Sequence, residues 1–194
     1  MELSKIFSKL LTRESFIEGW KTLVASKIAM PGDIILTQLK ARPVWSHDWD
    51  EFDQASLVVE VGAFPETIEM VGSDFFAGTL FDVFARSSRV VIIRCVDFDS
   101  SYIKTVINKA KTFQYSTLDI HFSHKLRKYF CSEMIRQADI EDRIHFPDYL
   151  VHAKEGDKIV TPDSLFCSKN VEVIFDSDFV DDVDLQSKVS KDLG

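Results

Sequence analysis

Cys131 is the residue of this chain whose type and position most directly indicate chemistry. It stands near the start of residues 129–138 (YFCSEMIRQA), whose apolar spacing predicts a helix. Free backbone N–H groups at a helix N-terminus stabilise an anion, so they are expected to lower the pKa of a thiol there. Such a thiolate is the usual nucleophile of a cysteine hydrolase, which also needs a base and a group that orients the base. The alternative is a small core residue, because cysteine is often buried.

The other two cysteines, Cys95 and Cys167, lie far from Cys131 in the sequence. Cys95 ends an apolar stretch, so we expect a thiol packed in the core. Cys167 lies in a segment that is typical of a loop (TPDSLFCSKN). Because the three cysteines are widely separated and include no CxxC pair, they do not indicate a disulfide framework, and at least one thiol stays free.

Hydrophobic periodicity predicts the elements that must position these residues. A first helix is predicted over residues 3–30 and ended by Pro31-Gly32, and later helices are predicted over 99–113 and 129–138. The predicted strands cover residues 33–38, 54–61, 67–71, 90–95 and 171–175. The strand at 90–95 is almost fully apolar, which favours a central place in the sheet. Strands and helices do not alternate regularly, so the order predicts an α+β fold with a mainly antiparallel sheet packed against helices.

Length, composition and charge exclude several classes of protein. The chain has 194 residues, of which 45% are hydrophobic, so it can build one domain with a core. Its net charge of −8 is concentrated in residues 45–53 and 176–194, and no cluster of Lys and Arg indicates nucleic-acid binding. No apolar run reaches the roughly 18 residues of a membrane span, and no secretory signal is evident. These features predict a protein without a transmembrane segment that is cytoplasmic or delivered as part of a particle.

Six short motifs follow one another in an order that resembles a known family. They are Gly32-Asp33-Ile34-Ile35, QASLVVEV (54–61), Thr67-Ile68-Glu69, LFDVF with the strand after it (80–94), Tyr129-Phe130-Cys131-Ser132-Glu133 and Thr161-Pro162-Asp163-Ser164-Leu165. Together they are similar to the circularly permuted NlpC-like cysteine peptidases, which are papain-fold proteins of the YiiX/YaeF-like branch. The resemblance covers about residues 31–176. It implies a permuted papain-like domain there, after a helical extension (1–30) and before an acidic tail (177–194).

The resemblance also implies roles for three residues. Cys131 takes the position of the nucleophile and Glu69 that of the third polar member. The base is expected at the first residue of the 54–61 strand, where this chain has Gln54. Gln cannot accept and return a proton at neutral pH, so it does not replace histidine as a general base. Either another histidine fills the site, or the chain is a degenerate member that keeps the fold without full catalysis.

His47 is the candidate for that other base. It lies in the acidic loop before Gln54, where Asp48, Asp50 and Asp53 are expected to raise its pKa and hold its orientation. The alternative is a surface histidine in a solvated loop. Two further histidines, His145 and His152, flank Pro147 and are expected at the surface.

The acidic loop and the segment before Cys131 supply the candidate substrate-binding residues. Trp45 and Trp49 form one wall of a ligand groove or a protein contact, or they fold back on the core as a lid. His121 lies in the segment DIHFSH, where Asp119, His121 and His124 together with Cys131 suggest zinc as an alternative. The local HxxH spacing is not a strong ligand pattern, so we expect neither a metal nor another cofactor.

Two functions remain in competition. The resemblance implies a thiol hydrolase that acts on amide bonds, such as those of peptidoglycan peptides, with catalysis impaired because Gln54 replaces the base. The alternative is a non-catalytic structural component of an assembly, such as a bacteriophage tail or virion, that retains the papain-like scaffold. The expected partners are a peptide or peptidoglycan-like substrate in the first case and other proteins of the assembly in the second.

Overall fold

The computed structural model describes residues 17, 19–41, 51–71, 74–114, 130–147 and 160–180. Its elements in chain order are α1 (Gly19–Ile28), β1 (Ile34–Leu39), β2 (Gln54–Glu60), β3 (Glu66–Val71), β4 (Asp74–Thr79), α2 (Leu80–Arg86), β5 (Ser87–Cys95), α3 (Ser100–Thr112), α4 (Phe130–Ala138), α5 (Pro162–Phe166) and β6 (Val171–Asp176). None of these helices has the length and apolar character needed to cross a bilayer.

The six strands form one antiparallel sheet in the order β4-β3-β2-β1-β5-β6. Consecutive strands β2, β3 and β4 are neighbours, whereas β5 returns to pair with the far side of β1. The α+β class and the antiparallel sheet predicted from the sequence are therefore confirmed. The apolar strand predicted at 90–95 lies inside the sheet, between β1 and β6.

Helices cover both faces of this sheet. Alternate side chains of a strand point to opposite faces, and β1 divides accordingly. Its residues Ile34 and Leu36 belong to the core cluster that includes α3, α4 and α5. Its residue Ile35 belongs to a second cluster, which includes α1 and α2. The buried sheet thus separates two apolar cores, and the side that a residue faces decides which helices it meets.

The predicted end of the first helix at Pro31-Gly32 is confirmed. Helix α1 runs from Gly19 to Ile28, and a turn at residues 31–32 leads into β1. Ile17 is not helical, so the continuous helix predicted over residues 3–30 is wrong at that residue. Gly32 has φ +92°, and a Cβ at this position would lie 3.0 Å from two side-chain carbons of Ile103. The turn therefore requires glycine both for its backbone conformation and for the close approach of α3.

Two elements differ from the sequence prediction. Strand β4 was not predicted, because its sequence DFFAGT includes Ala77 and Gly78 and has no alternating pattern. The segment around Cys167, expected to be a loop, contains the short helix α5. Its signal is a capping box in which Thr161 and Ser164 satisfy each other's backbone N–H groups, with Pro162 in the first turn.

The residues that follow β6 continue its contact with the sheet. Ser177 is buried, and its backbone N–H donates to the carbonyl of Val90 at 2.9 Å. Its hydroxyl oxygen accepts from the N–H of Val90 at 3.0 Å. Asp178 then forms an ion pair with Arg89 on β5. The first acidic residues after the sheet are therefore part of the packed domain.

An ion pair between the buried Asp33 and the partly exposed Arg94 fixes the start of β1. Asp33 is 1% exposed, and its two carboxylate oxygens accept from Nε and Nη2 of Arg94 at 2.7 and 2.8 Å. The same carboxylate accepts from the backbone N–H of Met30 at 2.7 Å, which holds the turn after α1. The pair thus connects the turn, β1 and β5.

We expect Asp33→Asn to lower the free energy of unfolding by about 2 to 3 kcal/mol, because it leaves the Arg94 guanidinium without its counter-ion. The measurement is urea denaturation followed by circular dichroism. Glu172→Gln is the matched control, since Glu172 is exposed on β6 next to Arg94 and should change stability by less than about 0.5 kcal/mol. Equal small losses in the two variants would show that the buried pair is not stabilising.

Candidate catalytic site around Cys131 and Glu69

Cys131 lies in the first turn of α4, as predicted. The helix runs from Phe130 to Ala138 and packs across β2 and β3. The Cys131 side chain is 2% exposed and belongs to the same apolar cluster as Ala55 of β2. Met134 and Ile135 of the helix are buried there too, as the apolar spacing of the helix requires. The thiol is therefore held inside the core at the point where the helix meets the start of β2.

The sulfur of Cys131 faces three backbone N–H groups, which belong to Ala55, Ser132 and Cys131 itself. The N–H of Val58 donates to the backbone carbonyl of Asp33, so it points to the β1 side of β2. Alternate N–H groups of a strand point to opposite neighbours, so that of Ala55 points toward β3. The pairing of β2 with β3 begins only at Leu57, which lies opposite Ile68. The Cys131 sulfur thus accepts from the N–H of Ala55 at the end of β2 where β2 and β3 are no longer paired.

Burial raises the pKa of the Cys131 thiol to about 11. The three N–H groups act in the opposite direction, but the loss of hydration is the largest contribution, and the negative charge of Glu69 adds to it. The lowered pKa that we expected from the helix N-terminus is therefore wrong for this state of the protein. At neutral pH Cys131 is a protonated thiol.

Glu69 is a buried carboxylate that receives donors from two other elements. It lies on β3 and is 5% exposed. The Ser56 hydroxyl donates to its Oε2 at 2.9 Å, and Nε2 of Gln54 donates to the same oxygen at 3.3 Å. Nη2 of Arg86, at the end of α2, lies 2.5 Å from both carboxylate oxygens. The negative charge of Glu69 is thus matched by a guanidinium and two neutral donors.

Gln54 occupies the strand position at which the family resemblance implies the base. Its side chain is 9% exposed, and its Nε2 donates both to Glu69 and to the backbone carbonyl of Met70, the latter at 2.9 Å. Both hydrogens of the side-chain amide are therefore used. Gln54 thus links the start of β2 to β3 by side-chain hydrogen bonds. These bonds lie at the unpaired end of the two strands, where the Cys131 sulfur accepts from the N–H of Ala55.

Three of the predicted site residues are therefore close to one another. Gln54 and Glu69 share a hydrogen bond, and Cys131 is near enough to Glu69 for its charge to affect the thiol. The other predicted site residues lie outside the described residues: His47, Trp45, Trp49 and His121. Within the described part of the chain the one histidine is His145, which is exposed as predicted.

Sequence reasoning missed Ser56 and Arg86. Ser56 lies two residues after Gln54, so strand alternation puts both on the same face, and this signal was available. Arg86 was harder to find, because it reaches Glu69 only through the packing of α2 on the sheet. Its one signal is that residues 54–85 contain no Lys, Arg or His, which makes Arg86 the first cation after β2 and β3.

The site offers a poor donor set for a metal. Among the described residues, no group of three or more His, Cys, Asp and Glu side chains is placed to hold one. Glu69 is already bound by Arg86, and a thiol with a raised pKa is not the thiolate that metals bind. The zinc alternative depended on Asp119, His121 and His124, which lie outside the described residues.

No family model matches the chain, and no curated protein matches its sequence. A solved structure does share its fold. It is the crystal structure of the metalloprotein YiiX from Escherichia coli O157:H7, DUF1105, with a TM-score of 0.58 and 17% sequence identity. The match covers 76% of this chain and 97% of YiiX. At this identity it shows a YiiX-like fold alone, which agrees with the YiiX-like order of the sequence motifs.

We expect iodoacetamide at pH 7 to modify Cys167 first, because this thiol is exposed whereas Cys131 and Cys95 are buried. Modification of Cys131 should accelerate as the pH approaches about 11, where its thiolate forms. The rates are measured by peptide mass spectrometry after timed quenching. A sample in urea is the control, since unfolding should equalise the three rates. Faster modification of Cys131 than of Cys167 in the folded protein at pH 7 would contradict the raised pKa.

We expect Arg86→Met to lower the free energy of unfolding by about 1 to 2 kcal/mol, because it leaves Glu69 buried without its cation while Arg86 itself is partly exposed. Adding Glu69→Gln should recover about 1 kcal/mol of that loss. The matched control is Arg136→Met, which breaks an i,i+3 pair with Glu133 on α4 and should cost about 0.5 kcal/mol or less. Strictly additive losses in the double variant would argue against the pairing.

Proposed function

We propose that the chain is a cysteine-hydrolase-like protein of the permuted NlpC type, built for amide bonds such as those of peptidoglycan peptides, and that Gln54 impairs its catalysis. Three observations support the proposal. The fold is YiiX-like, the motifs occur in the family's order, and Cys131 lies beside Glu69 at the start of a helix. His47, Trp45, Trp49 and His121 remain proposed contributors to catalysis or substrate binding.

The proposed chemistry is nucleophilic attack by the Cys131 sulfur on a carbonyl carbon. The oxygen of the tetrahedral intermediate would accept hydrogen bonds from backbone N–H groups, of the kind that surround the sulfur. Collapse of this intermediate would break the C–N bond and release the amine, which takes a proton from the base, and leave a thioester on Cys131. Water would then hydrolyse the thioester, release the carboxylic acid and return the thiol. Both steps require a base that removes a proton and later gives it back, and an amide side chain does not do this at neutral pH.

The observation that carries the proposal is the hydrogen bond from Nε2 of Gln54 to Glu69. A histidine at position 54 would donate from one ring nitrogen to the same oxygen and is proposed to take the thiol proton on the other. Strand alternation places Gln54 and Glu69 on the α2 side of the sheet and Cys131 on the α4 side, so the ring would have to reach the sulfur past the unpaired end of β2 and β3. Glu69 would then orient the imidazole, and Ser56 and Arg86 would hold Glu69. In this proposal Cys131 is the nucleophile and Glu69 the orienting carboxylate, and an amide stands in the place of the base.

A second candidate function rests on the same contacts. Gln54, Glu69 and Arg86 form a network whose charge is matched without an imidazole, so the scaffold needs no catalytic base for its stability. This favours a non-catalytic component of a protein assembly, such as a bacteriophage tail or virion. The metal of the YiiX neighbour is not part of either proposal, because Glu69 is already bound by Arg86.

We expect Gln54→His to raise the rate of hydrolysis of a nitrophenyl ester or an amide-linked muropeptide by about 100-fold or more, because general-base catalysis contributes at least that much. The same substitution should increase the reactivity of Cys131 with iodoacetamide at pH 7. Initial rates of product release and the alkylation rate are the two measurements.

Gln54→Asn is the matched control, since it keeps an amide and should give no gain. Adding Cys131→Ala to Gln54→His should remove the gain. His47→Ala in the unmodified chain tests whether any residual activity depends on His47. If Gln54→His folds normally and neither hydrolysis nor thiol reactivity increases, the impaired-hydrolase proposal fails and the non-catalytic function is favoured.

A further inference from the structure

Strand β4 is an edge strand of the sheet formed by the described residues. Within the described part of the chain, β4 pairs with β3 and no strand pairs with its other side. Its pairing with β3 covers six consecutive residues without a bulge. Natural proteins protect such edges with lysine, proline or a bulge, and the sequence of β4 (DFFAGT) has neither lysine nor proline. This edge can therefore accept another strand.

Apolar side chains stand exposed on and beside β4. Phe76, in the middle of the strand, is 48% exposed, and Val71 at the end of β3 is 41% exposed. Phe64, in the turn between β2 and β3, is 61% exposed and makes an edge-on contact with Phe81 of α2. An added strand would cover part of this apolar surface, which favours binding.

The same region carries unbalanced negative charge. Residues 54–85 contain no Lys, Arg or His, and four of their carboxylates are exposed: Glu60, Glu66, Asp74 and Asp82. Glu60 and Glu66 are cross-strand partners in the β2–β3 pair, a placement in which like charges destabilise the sheet. A cation from a partner would relieve this repulsion.

We propose that the outer edge of β4 binds an extended segment of a partner protein in which lysine or arginine alternates with apolar residues. The segment adds a strand to the sheet, and backbone hydrogen bonds to β4 hold it. Its apolar side chains cover Phe76 on one face of the sheet, while its basic side chains point to the other face, where Glu66 lies across from Thr79. The charge argues against a second copy of this chain, because edge-to-edge pairing would bring the exposed carboxylates of the two copies together.

The opposite edge of the sheet lacks this combination of features. Strand β6 pairs with β5 through an irregular register at Ile92 and Ile93. Its carboxylate Asp176 is already paired with Arg89. Val173 is exposed on β6 to a degree similar to Phe76, so it provides a matched position for a control substitution.

The test uses a fluorescent ten-residue peptide in which lysine alternates with valine, and binding is measured by anisotropy at low and high salt. We expect saturable binding that weakens with salt, and slower hydrogen exchange of β4 amides in the complex. The control peptide has the same sequence with an N-methyl group on every residue, which removes the N–H donors from both of its edges. It keeps the charge and side chains but cannot pair with a strand, so equal binding of both peptides would overturn the proposal.

Phe76→Lys should weaken binding at least tenfold, because it adds a charge to the edge and removes the apolar contact. Val173→Lys adds the same charge to the opposite edge and should leave binding within about twofold; an equal loss there would overturn the proposal. Ala77→Lys, at an exposed position on the other face of β4, should also weaken binding and serves if Phe76→Lys unfolds the chain. Self-association that Phe76→Lys abolishes would identify a second copy as the occupant and reject the basic partner.

Discussion

The candidate site depends on the buried charge of Glu69. Burial of a carboxylate that is 5% exposed is costly unless donors and a counter-ion contact it, and the donors to Glu69 come from two different elements. Gln54 and Ser56 approach from β2, and Arg86 approaches from the end of α2. The network therefore couples the packing of α2 on the sheet to the geometry of the strand ends beside Cys131, so that site and fold cannot vary independently.

The state of Cys131 follows from two opposing electrostatic effects of different size. A helix N-terminus stabilises a nearby anion by about 0.3 to 1 kcal/mol in exposed settings. The rise of the thiol pKa to about 11 corresponds to about 3 kcal/mol in favour of the neutral form. Desolvation therefore exceeds the effect of the helix and of the three N–H groups. An imidazole or a bound substrate would have to overcome this difference before the thiolate becomes abundant.

The sequence predicts those features of the fold whose physical cause lies within a few neighbouring residues, and it misses those that depend on packing between distant segments. The apolar strands, the turn at Gly32 and the helix that carries Cys131 were predicted, because periodicity and turn chemistry act over a few residues. Strand β4 was missed because its stability comes from pairing with β3 rather than from its own pattern. The partnership between Arg86 and Glu69 was missed for a similar reason, since it depends on how α2 packs against the sheet. Family resemblance located Gln54 and Glu69, but only coordinates reveal that they are bonded.

The side-chain amide at position 54 also donates hydrogen bonds to more neighbouring acceptors than a histidine would. Gln54 donates to Glu69 and to the carbonyl of Met70 through the two hydrogens of one nitrogen. A neutral imidazole has a single N–H, so it would satisfy Glu69 and leave the Met70 carbonyl without this donor. The loss of one such buried hydrogen bond costs about 1 kcal/mol. At this position the residue that the proposed catalysis requires and the residue suited to stability are therefore different, and the chain has the stabilising one.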